Sequence, residues 1–206
     1  MPIVRMYKTD NKGNKLFREA WYEDPLEDLA DATDVESSEE EDVDAQRQFV
    51  VNHGTVGHVS KTSQEENVSA ERAKELFAGF IEQSTEDGYR ELADDEQFWV
   101  IAQFALKTKE GTDRDISLQT NARREFSNHL AWRGLGTVES SDFAPWKLNL
   151  RILTPDAKTT INALKTISRD AKLDPTKLRI AVAPFNALDQ LKQRHPLPAT
   201  EPFTLD

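Results

Sequence analysis

Between Phe98 and Val182 the spacing of apolar residues switches repeatedly between every second position and every third or fourth, and such a succession admits few arrangements. Phe98, Val100, Ala102, Phe104 and Leu106 alternate as in a strand. Ile116, Leu118, Ala122, Phe126 and Leu130 follow at the spacing of one helical face, with Gly134 placed to end that helix. A short strand at Thr137 and Val138 precedes a clearer one through Trp146, Leu148, Leu150 and Ile152. Thr154 as N-cap and Pro155 as first helical residue open a second helix, whose inward face is Ala157, Ile161, Leu164 and Ile167. After Asp174 and Pro175 comes a strand with Leu178, Ile180 and Val182, then a short helix near Phe185, Leu188 and Leu191.

The order over 97–195 is therefore β-α-β-β-α-β with an appended helix. That order is the signature of a ferredoxin-like sandwich, in which both helices cover one face of the sheet. Residues 196–206 read as a C-terminal tail. The N-terminal part is a separate α+β unit over 1–90. Ile3 to Tyr7 and Lys15 to Tyr22 form a hairpin around Asn11-Lys12-Gly13-Asn14. Gln48-Phe49-Val50-Val51 begins a third strand that turns at Asn52-His53-Gly54 and returns through Thr55 to Thr62. Ala73, Leu76, Phe77, Phe80 and Ile81 then mark one face of a helix capped at Asn67 or Ser69 and ended by Gly88. The expectation is a four-stranded antiparallel sheet packed on one helix.

Charge divides the chain in the same place. Of the formal net charge of −11, residues 1–90 carry all of it, with 10 Lys and Arg against 21 Asp and Glu, while 91–206 balance at 16 and 16. Residues 25–46 hold ten acidic side chains and neither a basic nor an aromatic one. Such a segment buries too little apolar surface to offset its ordering entropy, so it reads as a disordered acidic insertion, either a passive linker or a contact for a basic partner. Its charge opposes non-specific attraction to nucleic acid or anionic lipid. There is no cysteine, which excludes disulfides and thiolate chemistry and suits a cytoplasmic location. No run of about 18 apolar residues and no secretory leader is visible.

The residues Asn14-Lys15-Leu16-Phe17-Arg18-Glu19-Ala20-Trp21-Tyr22, then Val50-Val51-Asn52-His53-Gly54-Thr55-Val56-Gly57, then the helix closing on Gly88-Tyr89, together resemble the WGR domain of some poly(ADP-ribose) polymerases and bacterial regulator-like proteins. The resemblance covers about residues 1–90. It implies a small sheet-and-helix module whose Trp-Gly-Arg triplet contributes to DNA-end recognition and interdomain contacts. In this sequence the triplet positions are His53, Gly54 and Thr55, so the indole and the guanidinium are replaced. Thr55 cannot read phosphate in the bidentate manner of arginine. No ADP-ribosyltransferase domain is evident in residues 91–206, and the activity of those relatives is not implied.

Catalytic and cofactor patterns are not evident. His53 and His58 stand at opposite parity and do not suit a shared metal; His129 reads as a packing residue and His195 as part of the tail. No nucleophile with a flanking base, phosphate-binding glycine loop or nucleotide fingerprint is present, and the acidic insertion lacks the spacing and glycine of a calcium loop. We therefore expect no enzyme activity, no metal and no cofactor.

Strand parity singles out one surface. If the apolar sets face the helices, Trp99, Ile101, Gln103, Lys147, Asn149, Arg151 and Arg179 share the opposite sheet face, which is cationic and carries an aromatic. This face reads as an ordinary solvated surface, a docking site for the acidic insertion or another protein, or a platform for single-stranded nucleic acid. Protein docking is preferred, because one tryptophan makes a poor base-stacking platform. The candidate binding residues are Trp99, Lys147, Asn149, Arg151 and Arg179, with His53 and Thr55 from the first unit. The expected function is a non-enzymatic adaptor or regulator that binds a protein partner. The alternatives are a nucleic-acid-associated accessory protein and an inhibitor or immunity-type protein whose acidic segment covers a basic partner.

Overall fold

Alternating side chains and well-capped helices build two separate α+β units, seen here in a computed structural model that describes residues 2–22 and 47–206. The acidic insertion expected at 25–46 lies outside the described residues. One unit holds the described residues up to Thr55 together with Ser60–Glu91, and the other holds Val56–Val59 with Leu92–Asp206.

In the first unit, strands β1 (Ile3–Thr9), β2 (Lys15–Tyr22), β3 (Arg47–Thr55) and β4 (Lys61–Val68) pair in that order, all antiparallel, and are followed by helix α1 (Ala70–Glu86). Asp10 Oδ1 accepts from the main-chain N–H groups of Lys12 and Asn14, both at 2.8 Å, which holds the β1–β2 turn, and the Asn14 side-chain amide on Asp10 Oδ2 at 2.9 Å, with those main-chain bonds, lowers the Asp10 pKa. Val4, Met6, Ala20, Tyr22 and Phe49 bury one sheet face against Ala73, Leu76, Phe77 and Phe80 of α1. Tyr22 and Phe77 meet edge to face with ring centroids 5.6 Å apart. Ser69 caps the helix, its hydroxyl accepting from Arg72 N at 3.2 Å, and Gly88 follows the helix end at φ +84°.

The turn expected at Asn52-His53-Gly54 is not there. Strand β3 runs through those residues because Asn52 is buried and its Oδ1 accepts from Thr62 Oγ1 at 2.6 Å across the ladder, while Gly57, at φ +89°, lies in the reversal that follows. Strand β4 is an edge strand whose side chains from Lys61 to Asn67 are all exposed.

The second unit runs β5 (Phe98–Ala105), α2 (Asp113–Ala131), β6 (Val138–Ala144), β7 (Lys147–Thr154), α3 (Ala157–Asp170), β8 (Leu178–Pro184) and β9 (Lys192–His195). Its antiparallel sheet has the order β6-β7-β5-β8-β9. The first four of these in sequence give the ferredoxin-like arrangement, with β5 and β7 central, β8 beside β5, and β6 beside β7. Val100, Ala102, Phe104, Leu148, Leu150, Ile152, Leu178 and Ile180 turn one face toward Ala122, Phe126 and Leu130 of α2 and Leu164 and Ile167 of α3. The rings of Phe104 and Phe126 lie nearly parallel with centroids 6.3 Å apart. Cutting either to alanine would cost about 3–5 kcal/mol. Gly136, at φ +97°, has no room for a side chain, since a Cβ there would run into the carbonyl oxygen of Leu153.

Five local expectations are corrected. Helix α3 is capped by Asp156 rather than Thr154, because the carboxylate accepts from Thr159 N at 3.0 Å, while the buried Thr154 hydroxyl pairs with Thr160 Oγ1 at 2.7 Å. Trp146 is not in a strand; it sits at φ +66° in the β6–β7 turn and is exposed, as is Ile116 in the first turn of α2. The appended helix is a single 3-10 turn at Leu188–Gln190 followed by β9, which adds a fifth strand beside β8. His195 lies in β9 rather than in the tail, and of the residues beyond it 201–206 pack back on the sheet.

Candidate functional site

The sheet of the second unit has two faces of opposite chemistry. Pairing sets Trp99 opposite Leu153 and Ala183, Ile101 opposite Arg151 and Ala181, Gln103 opposite Asn149 and Arg179, and Ala105 opposite Lys147. These residues share the face turned away from the helices. The face is not open to water, for residues 201–206 lie across it.

The contacts are made by side chains of the sheet to main-chain oxygens of that segment. Arg179 NH2 donates to the carbonyls of Glu201 at 3.3 Å and Pro202 at 3.4 Å, and its guanidinium carbon lies 5.3 Å from the centroid of the Phe203 ring. Gln103 Nε2 donates to Thr204 O at 2.8 Å. Asn149 Nδ2 donates to Leu205 O at 2.9 Å. Lys147 Nζ reaches Thr204 Oγ1 at 2.6 Å and Thr204 O at 3.3 Å, and also donates to Asp206 O. Four donors from three strands thus follow one extended segment. Phe203 and Leu205 are half-buried, while Pro202, Thr204 and Asp206 are exposed, an alternation that turns every second side chain toward the sheet.

The donors are themselves held in position. Gln103 Nε2 also donates to Asn149 Oδ1 at 2.8 Å, and Asn149 Nδ2 to Asp142 Oδ2 at 3.1 Å. The two amides are 1% and 0% exposed. Arg179 is braced by Gln193 of β9, whose Oε1 accepts from NH2 at 2.7 Å. The rest of the face is internally engaged. Arg151 forms an ion pair with Asp142 of β6, and the Trp99 indole donates to Phe185 O at 3.2 Å and stacks on the Phe185 ring. His195 of β9 pairs with Ile180 on the helix side of the sheet, where burial and the nearby charge of Lys165 of α3 keep its pKa below its ordinary value.

Of the residues singled out from the sequence, Trp99, Lys147, Asn149, Arg151 and Arg179 stand together on this face, and Lys147, Asn149 and Arg179 touch the 201–206 segment. His53 and Thr55 belong to β3 of the first unit, where His53 is exposed and pairs with Arg18 and Lys61 along the ladder. The sequence reading passed over Gln193, Asp142 and the segment 201–206 itself, whose one visible trace is the alternation of Phe203 and Leu205. Among the described residues no three His, Asp or Glu side chains converge to hold a metal, and no helix is long and apolar enough to cross a membrane. No family model, curated protein or solved structure matches this chain.

Proposed function

We propose that this protein is a non-enzymatic interaction module, an adaptor or regulator, whose second unit binds a protein partner by gripping an extended segment across the face bearing Gln103, Lys147, Asn149 and Arg179. The observation that carries this reading is the set of side-chain donors aimed at carbonyl oxygens along 201–206. Carbonyls are offered by any extended peptide, so such a row recognises main chain, with selectivity left to side-chain contacts such as Arg179 on Phe203. The cations of this face are engaged with carbonyls and with Asp142 rather than left as a bare phosphate-binding stripe, which favours peptide over nucleic acid. On the same reading the first unit is a WGR-like module with His53 and Thr55 on a second surface, and the protein works in the cytoplasm.

Selection from a random peptide display library on full-length protein carrying Phe203→Ala and Leu205→Ala tests the reading. Enriched sequences should lose binding when Arg179→Ala or Lys147→Ala is added. A selection that yields no sequence dependent on those residues would reject it.

A further inference from the structure

We infer that residues 201–206 are a resident ligand of this face, and that the partner displaces them with an extended segment of like chemistry: an aromatic residue and an apolar residue two positions on. This inference rests on the binding reading above.

The segment has the attributes of a ligand rather than of a core element. Its polar contacts with the sheet are made through main-chain oxygens, apart from the Thr204 hydroxyl on Lys147, and the donors of those contacts belong to the sheet. A peptide from another molecule can present the same carbonyls in the same places. Phe203 and Leu205 are only half-buried, so the segment sits on the face without being interred in it. The connection 196–200 is short, carries two prolines, is exposed throughout, and enters no strand. Phe203 beneath the Arg179 guanidinium gives one anchor, and Leu205 beside Asn149 gives another at the same parity. Glu201 and Asp206 flank them and are held by Arg179 and Lys147 through their main-chain oxygens, so these positions carry no side-chain requirement.

Tethering decides how strongly the resident segment competes. A short connection that spans to the face holds it at an effective concentration on the order of millimolar. A partner must therefore exceed that local concentration in its own affinity units, and the face is selective against weak or scarce ligands. Weakening the tail should raise the apparent affinity for a peptide in trans by at least tenfold, because the fraction of open sites rises.

The probe is a fluorescein-labelled synthetic peptide with the sequence of residues 199–206, titrated by fluorescence anisotropy into the full chain and into full-length F203A/L205A. Binding at least tenfold tighter to the variant is the expected result. Adding Arg179→Ala to the variant should remove at least that gain, and a peptide with alanine in place of its phenylalanine should bind at least tenfold more weakly. Equal affinity for both proteins, or none for either, overturns the inference. To avoid dependence on variants, the unlabelled peptide is also added in millimolar excess to 15N-labelled wild-type protein. The amide signals of Phe203, Thr204 and Leu205 should then move to positions of solvent-exposed chain while those of β5 and β8 stay in place. Signals of 203–205 that do not move overturn it. Display selection separates the two levels of the argument: a consensus that needs Arg179 and Lys147 but is unlike 201–206 leaves the binding reading standing and removes the inference.

Discussion

Gln103 Nε2 donates to Asn149 Oδ1 at 2.8 Å between the two central strands of the second sheet, and both side chains are almost wholly buried. The pairing fixes which way each amide points, since the Gln103 NH2 group also meets Thr204 O and the Asn149 NH2 group meets Leu205 O. Asn149→Ala strips donors from Leu205 and Asp142 together. It should lower the stability of the second unit by about 1–3 kcal/mol, the cost of leaving buried polar groups without partners. Urea unfolding measures that loss, and faster proteolytic cleavage within 196–200 should accompany it as the tail is released.

Strand parity makes a sharper comparison between adjacent positions. Leu150 is fully buried under the helices, whereas Arg151 points to the other face and pairs with Asp142. Leu150→Asp puts an unpaired charge in the core and should abolish the folded second unit. Arg151→Ala should cost about 1 kcal/mol or less, because the pair is part-exposed. Circular dichroism melts of the two variants decide it, and the reverse order of severity would mean that the register is wrong.

In the first unit, Arg18 NH1 donates to Asp87 Oδ2 at 2.6 Å, and the guanidinium carbon sits 4.3 Å from the centroid of the Tyr89 ring. Asp87 is the C-cap of α1, where a negative charge opposes the helix dipole, so the arginine offsets an unfavourable placement. Its hydrogen bond also lowers the Asp87 pKa, which means this contribution is present above the ordinary carboxylate range and fades as pH falls through the depressed value. Carbon-detected NMR titration should find Asp87 below the usual aspartate range in the wild type and back within it in Arg18→Ala.

Tyr7 shows the opposite sign. Burial pushes its hydroxyl up to about 12 from 10.0, and Glu19 adds to the effect while Arg5 opposes it. The folded state therefore retains a proton that the unfolded state has lost, and stability should fall between about pH 10 and about pH 12. Absorbance at the phenolate band should show one tyrosine ionising late in the folded protein. Tyr7→Phe should remove that late step and flatten the alkaline loss of stability.

How far the sequence could be read depended on whether side chains or main chain carried the information. Leu148, Leu150 and Ile152 against Lys147, Asn149 and Arg151 separate by parity alone, because a strand turns successive side chains to opposite faces. Ser69 and Gly88 marked the ends of α1 because cap chemistry demands such residues. Asn52 was misleading: its usual place is a turn, but here a cross-strand bond to Thr62 keeps it inside β3. The seat of 201–206 was illegible for a different reason. Carbonyl oxygens are common to every residue, so a segment held by them leaves almost no mark in the sequence.

Strand β4 carries that division to its limit. Its ladder with β3 fixes the path of the chain from Lys61 to Asn67, yet none of those side chains is taken into a core. The backbone is constrained and, apart from Thr62, whose hydroxyl donates to the buried Asn52, and Asn67, which sits at φ 58°, the lettering on it is free. Provided charge is kept along the edge to discourage pairing with other sheets, those remaining positions can be rewritten with little effect on folding. It offers a rigid, outward display strip on which foreign sequence could be carried without disturbing either unit.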